Sequence, residues 1–434
     1  MATTRKSFGP IFEWIPINPL KSIEFSAFSI TDLFIIVVAI YGTEKFVVLL
    51  GLVYRGIRNI FIDDLIEDYR ESRDDQRISG SIPNGWMPVV ESQKLTNGSV
   101  LKACVNGKDI VLLRDSNGTV HAMDPYCPHN GAHLGFGEVV KIKGSDCIKC
   151  PFHEWSFRAE DGVCVDVPYA KDRKAPKGST IKIHSCKEMN GSIYIWIHSK
   201  EIEPSWLPEP VENISSGKFK CIGRSEFLLR SNILTIAENN ADFHHLDYVH
   251  DKRSPAAQRL AQLLGLKQNI IHQVRKNPTW RPDKHKGILT LDYEIYLFGI
   301  KVAEFDFVGT QFGPFYSILS QRLKIFGKTF EQVANVGIHS SSPNEQRIIA
   351  QLFTAQDILS KLIGRLMLHS ISYILRQDCV IWQDIKRPSK PLYLKEEKTM
   401  AEHCRWFMHF YDGKKIGSKG NISEEESILT FEQG

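Results

Sequence analysis

The chain has 434 residues, 42% of them hydrophobic and 24% charged, with a formal net charge of +4. That length accommodates two or three domains, and so small an excess of positive charge excludes a chain built to coat nucleic acid. Its nine cysteines are odd in number and irregularly spaced, which excludes a disulfide framework and fits a reducing compartment, the cytosol or a surface facing it.

Residues 1–32 are an N-terminal segment whose polar, proline-containing start lacks a small-residue cleavage site, against a removable signal peptide. Residues 33–54 are apolar except for Gly42-Thr43-Glu44-Lys45 at their centre. A helix needs about 20 residues to cross the hydrocarbon core, so this stretch is the expected single-pass anchor. Glu44 and Lys45 oppose that reading, since an ionised residue at mid-depth costs roughly 2.5–3.5 kcal/mol and adjacent residues pair poorly on a helix. An interfacial hairpin or a buried helix therefore stays open. Arg55 and Arg58 close the stretch, which favours a body facing the cytosol. Residues 55–82 are the expected linker, charge-rich and helical over 60–77.

Residues 83–200 read as a small antiparallel β-domain. It opens at Gly85-Trp86-Met87-Pro88-Val89-Val90, and strands over 108–114 and 119–123 flank a turn at Asp115-Ser116-Asn117-Gly118. Pro204, Pro208 and Pro210 mark its end. Within it, Cys127-Pro-His129 is followed after 20 residues by Cys150-Pro-Phe-His153. Two thiolates and two imidazoles in matched pairs suit a two-iron, two-sulfur cluster, with Cys127 and Cys150 on one iron and His129 and His153 on the other. That is the ligand set of a Rieske centre. A Cys2His2 zinc site uses the same donors, but zinc fingers place both cysteines in one knuckle and both histidines in the other. Gly131, Gly135 and Gly137 are expected at positive φ in tight loops. Trp155 and Phe157 are expected under the second knuckle, and His133 is a loop residue.

Residues 201–410 carry longer elements. A strand-like run covers 288–308, with Leu289, Leu291, Tyr293, Ile295 and Leu297 alternating, and helical spacing of apolar residues covers 354–384. Residues 411–434 are a polar tail. Asp242, His245 and His250 offer part of a two-histidine, one-carboxylate iron(II) site with open positions for dioxygen. Residues five apart on a regular helix point about 140° apart, so both imidazoles reach one metal only if the helix ends between them. Core or surface histidines are the plainer reading of this trio alone. Beside an electron-relaying cluster, an iron site becomes the better one.

The two knuckles, followed by Glu238-Asn239-Asn240-Ala241-Asp242 and His245 and His250, resemble the Rieske non-haem iron oxygenases. Respiratory-type Rieske proteins carry a further cysteine in each knuckle, where this chain has Ala132 and Phe152. With the N-terminal apolar segment and the Gly85-Trp86-x-Pro88-Val89 entry, the chain is identified as a member of the cholesterol 7-desaturase (Neverland-type) family. The resemblance implies an α+β fold: a β Rieske domain, then an antiparallel sheet flanked by helices in the helix-grip, START-like manner, behind a membrane anchor. It implies a [2Fe-2S] cluster, a mononuclear iron(II) on His245, His250 and a late carboxylate, and O2. Electrons come from NAD(P)H through a reductase, with or without a ferredoxin. Asp242 is the implied bridging carboxylate to a neighbouring subunit of a homotrimer. Asp378 is the expected third ligand, with Asp384 and Asp357 as rivals. The implied reaction is 7,8-dehydrogenation of cholesterol at the endoplasmic reticulum, in an apolar pocket that Phe298, Phe305, Phe307, Phe312 and Phe315 could line. Steroid hydroxylation, a membrane-tethered electron carrier without catalysis and a lipid-binding module are the alternatives.

Overall fold

The computed structural model describes residues 64–69, 82–250, 271–297, 300–325, 327–388 and 390–411. The expected anchor at 33–54, Phe298 and the tail beyond residue 411 lie outside the described residues. Two β-rich parts follow one another, and a long helix joins the second.

The first part is built on short antiparallel strands. Val100–Val105, Lys108–Arg114, Val120–Met123 and Ile183–His184 form one sheet, and Glu138–Ile142, Ser145–Lys149, Ser156–Arg158 and Cys164–Asp166 form a meander. Gly85–Glu91 pairs with Ser192–Ile197, so the first and last strands close the unit. The apolar run Ile110-Val111-Leu112-Leu113 explains how this part is placed. Successive strand residues face opposite ways; Val111 and Leu113 pack with Cys127, Cys150 and Trp155, whereas Ile110 and Leu112 pack with Met87 and Val89. One face thus supports the knuckles and the other faces the second part.

The second part is an eight-stranded sheet. Across it run Asp64–Asp68, Lys220–Arg230, Glu345–Thr354, Lys328–Ser342, Tyr316–Ile325, Ile300–Phe312, Lys286–Leu297 and Ile271–Asp283. All neighbours are antiparallel except the first pair, which is parallel. The expected helical linker over 60–77 is corrected at its described residues: Asp64–Asp68 is an edge strand, because the open edge of Lys220–Arg230 offers backbone partners that override local helix propensity. The run 288–308 is likewise two antiparallel strands, with Leu297 opposite Ile300. Leu289 and Leu291 are buried as the alternation predicts.

The helix Ile358–Trp382 lies against strands Lys220–Arg230, Lys328–Ser342 and Glu345–Thr354. Its buried residues include Ile363, Gly364, Leu368, Ser372, Asp378, Cys379 and Trp382, one stripe at helical spacing. Gly364 allows the close approach, since a Cβ there would sit 2.5 Å from Ile222 Cδ1. By length and composition this helix could cross a bilayer, yet one face of it belongs to the domain's core. Between helix and sheet lie half-buried Phe305, Leu319, Val336, Met367 and Ile371. Of the expected pocket aromatics, Phe312 and Phe315 are elsewhere: Phe312 stacks on Tyr316 at 5.0 Å beside Trp86, and Phe315 packs with Met87 and Val89. Both are core at the junction of the two parts.

Candidate metal centres

The two knuckles are loops at one end of the first part. Cys127-Pro-His129 follows strand Val120–Met123, and Cys150-Pro-Phe-His153 links Ser145–Lys149 to Ser156–Arg158. Each folds back on itself, with Gly131 N–H donating to Cys127 O and Glu154 N–H to Cys150 O. Gly131 has φ 73°, as expected, but Gly135 and Gly137 do not take positive φ. Gly137 serves close approach instead: a Cβ on it would lie 2.2 Å from the Lys149 carbonyl oxygen, where the two knuckles meet.

Cys127 and Cys150 are buried side by side, and the His129 and His153 rings lie 4.7 Å apart at 75°. Burial, with the neighbouring Cys150 thiol adding, pushes the Cys127 thiol up to about 11. A cation relieves such a pair by taking thiolates. His153 Nδ1 is buried without a hydrogen-bond partner, so a donor atom is available on this side too. The residues present therefore fit a cluster. Trp155 stacks on His129 at 4.6 Å and donates through Nε1 to Tyr169 Oη at 2.8 Å. Phe157 is fully buried beyond it. Sequence reasoning missed Tyr169. His133 accepts from Gly135 N–H through Nδ1 at 3.0 Å, a loop role as expected. None of the nine cysteines is in a disulfide.

The second centre forms where a short helix meets the long one. His244–Tyr248 ends at Val249, so His250 leaves the helical path and its ring comes within 5.1 Å of the His245 ring. This is the unwinding that two histidines five apart require. Asp378 projects from the long helix, and donor atoms of His245, His250 and Asp378 all lie within 4.8 Å of one another. His250 Nε2 is 3.2 Å from Asp378 Oδ1 but outside hydrogen-bonding geometry, and both ring nitrogens of His245 are buried without a partner. Orphaned nitrogens facing a buried carboxylate fit a metal ion. Burial lowers the His250 pKa, but the Asp378 carboxylate and Gln377 outweigh it and hold the ring above its usual value.

The rivals of Asp378 are elsewhere. Asp357 caps the helix, its Oδ1 accepting from Ser360 N–H at 2.9 Å, and 21 residues of helix put it roughly 30 Å from Asp378. Asp384 lies past the helix end with its side chain exposed. Asp242 does not join the trio. Its Oδ1 accepts from the N–H groups of His244 and His245, and its Oδ2 lies 3.7 Å from His245 Nδ1. Burial raises the Asp242 pKa, but the His245 side chain and these N–H groups prevail and hold it below the usual value. Two supports were not read from the sequence. Asn239 donates to Asp378 Oδ2 at 3.3 Å, and Glu238 pairs with Arg387 and Tyr393 behind it.

Residues 85–184 match the Rieske [2Fe-2S] domain, and residues 195–411 match the 3-ketosteroid 9alpha-hydroxylase C-terminal domain. Among curated proteins, a cholesterol 7-desaturase of Hemicentrotus pulcherrimus is 31% identical over 80% of this chain and 74% of its own length. One of Xenopus laevis is 32% identical over 77% and 74%. The chain belongs to the cholesterol 7-desaturase family. Among solved structures, dicamba monooxygenase shares the fold, with a TM-score of 0.57 at 14% identity over 76% of this chain and 98% of that one. As a cholesterol 7-desaturase family member, the protein is an iron–sulfur oxidoreductase that uses a [2Fe-2S] cluster, a mononuclear iron, O2 and electrons from NAD(P)H through a reductase or ferredoxin.

Proposed function

We propose that this protein removes two hydrogens from C7 and C8 of cholesterol, giving 7-dehydrocholesterol for steroid hormone biosynthesis. O2 takes two electrons from NAD(P)H and two from the sterol C–H bonds, and leaves as two waters. The observation that carries the reading is the buried His245, His250 and Asp378 trio in a chain that also holds the Cys–His knuckles and matches cholesterol 7-desaturases over most of its length.

In this reading Cys127, Cys150, His129 and His153 hold the cluster, and His245, His250 and Asp378 hold the mononuclear iron. The two groups supply one-electron delivery and activation of O2. Asn239 fixes the Asp378 carboxylate. Asp242, already held through Oδ1, keeps Oδ2 for a cluster histidine of a neighbouring subunit. Tyr126, Phe136, Phe152 and Tyr169 lie exposed around the knuckles, an apolar rim that supports burial of this end against another subunit in a homotrimer. The half-buried apolar side chains between sheet and long helix suit a sterol, which needs an apolar wall and few polar groups. Residues 33–54 anchor the protein in the endoplasmic reticulum membrane with the catalytic body on the cytosolic side.

Aerobic turnover of the iron-loaded full chain with cholesterol, NADH and a surrogate reductase tests this. A product lighter by two hydrogens, with conjugated-diene absorbance and lost in His245→Ala, is expected. Hydroxylation is the second reading, favoured by the match of residues 195–411 to a hydroxylase domain. It gives a product heavier by one oxygen.

A further inference from the structure

His250 has two nitrogens with different neighbours. Nε2 faces Asp378 at 3.2 Å, and Nδ1 lies 3.0 Å from Gln377 Oε1. A neutral imidazole carries one N–H and one lone pair. For Nε2 to offer its lone pair to a cation, the proton must sit on Nδ1, where it needs an acceptor. Gln377 Oε1 is that acceptor.

The other end of the amide is tethered by a hydroxyl, which can donate or accept. Gln377 Nε2 donates to Tyr373 Oη at 3.5 Å, one helical turn back. Turned over, the amide would present Nε2–H to Nδ1, force the imidazole proton onto Nε2 and close the metal position. Gln377 and Asp378 are adjacent and point about 100° apart on the helix. One therefore meets the metal position and the other the back of the ring. His245 Nδ1 has only Asp242 Oδ2, at 3.7 Å and outside hydrogen-bond distance, so His250 is the imidazole with a hydrogen-bonded acceptor at its back.

We infer that Gln377 is a positioning residue that accepts the Nδ1 proton of His250 in its metal-binding tautomer, with Tyr373 tethering the amide. The inference rests on the assignment of His245, His250 and Asp378 as iron ligands. Hydrogen-bonded partners behind a ligand imidazole typically set metal affinity by about 10–100-fold.

The test is anaerobic Fe(II) titration of the full chain by chelator competition, with the visible absorbance of the cluster as the fold control in the same sample. Gln377→Leu is expected to weaken Fe(II) binding by about 10–100-fold and to change the EPR spectrum of the ferrous–nitric oxide adduct. Gln377→Glu keeps an acceptor and is expected to restore most of the affinity. Tyr373→Phe should lose affinity in the same direction but less. Gln377→Leu binding Fe(II) as tightly as wild type, or Gln377→Glu binding as weakly as Gln377→Leu, overturns the inference. Wild-type protein that takes up no Fe(II) beyond its cluster overturns it by another route, because the ligand assignment then fails first.

Discussion

Replacing Arg387 with methionine isolates the support behind the iron site. Glu238 ends the helix Ile233–Glu238, all of whose residues are buried. Its carboxylate receives two bonds from the Arg387 guanidinium, one of them 2.8 Å long, and one from Tyr393 Oη at 2.9 Å. Arg387→Met leaves a buried carboxylate with the phenol alone. Stranding one member of a buried pair costs about 3–5 kcal/mol. The Arg387 side chain is 23% exposed and Glu238 only 11%, so water reaches the departing partner and the low end, about 3 kcal/mol, is expected. For a domain of this size that is a fall in Tm of roughly 6–12 °C. Urea unfolding followed by near-ultraviolet circular dichroism measures it. Glu238→Leu in the Arg387→Met background removes the stranded charge and should return stability to within about 1 kcal/mol of wild type. Because Asn239 follows Glu238 and holds Asp378, the single variant should also bind Fe(II) more weakly. A loss below about 1 kcal/mol, or a double variant as unstable as the sum of the singles, refutes the reasoning.

Gly137→Ala drives a methyl group into the Lys149 carbonyl, costing about 1–3 kcal/mol or a shift of one knuckle; labile sulfide and visible circular dichroism should show lost cluster, and unchanged content would count against it. Asp357→Ala should cost about 1 kcal/mol as a lost helix cap and leave Fe(II) content intact, whereas Asp378→Ala should abolish Fe(II) uptake; metal analysis of the pair decides which aspartate is the ligand. His403 is fully buried, and burial with the Arg387 charge adding lowers its pKa from 6.5 to about 3. Above 6.5 both states are neutral there; below it the unfolded chain takes a proton that the folded one cannot. Stability therefore falls from pH 6.5 toward 3, by up to about 1.4 kcal/mol per pH unit. In His403→Gln that slope should flatten by one proton's worth, read from unfolding midpoints against pH, and an unchanged slope would exclude this histidine as a source.

The parts of the site legible in the sequence are those where one short segment carries both the chemistry and the geometry. Each knuckle brings a thiol and an imidazole within four residues, and the spacing of His245 and His250 requires a helix end between them if both are to meet one metal. Asp378 is the expected third ligand through resemblance alone, with Asp384 and Asp357 as rivals. Its helical phase separates it, since it shares a stripe with Leu368, Leu375 and Trp382 at spacings of three, four and seven. Asn239, Gln377 and Tyr169 were not legible, because each acts across tertiary contacts on residues distant in the chain. The aromatics over 298–315 show the converse failure. Phe312 ends one strand and Phe315 lies in the turn before the next, an odd step apart, so period-two alternation does not say which side they take; both are buried at the first β-part instead of facing the long helix.

The strand Asp64–Asp68 bears on how the protein can be handled. Cutting the chain just before Gly85 is the obvious way to shed the apolar N-terminal stretch for expression. The same cut strips the cover from the eleven-residue strand Lys220–Arg230, whose inner face carries Ser225, Phe227 and Leu229. Bare amides and carbonyls along it would template sheet growth between copies, whereas the short strand Asp64–Asp68 covers that edge and ends on the exposed Asp68. Material starting between residues 55 and 63 should stay dispersed in solution, and material starting at residue 82 should precipitate, although both keep every side chain proposed to bind metal.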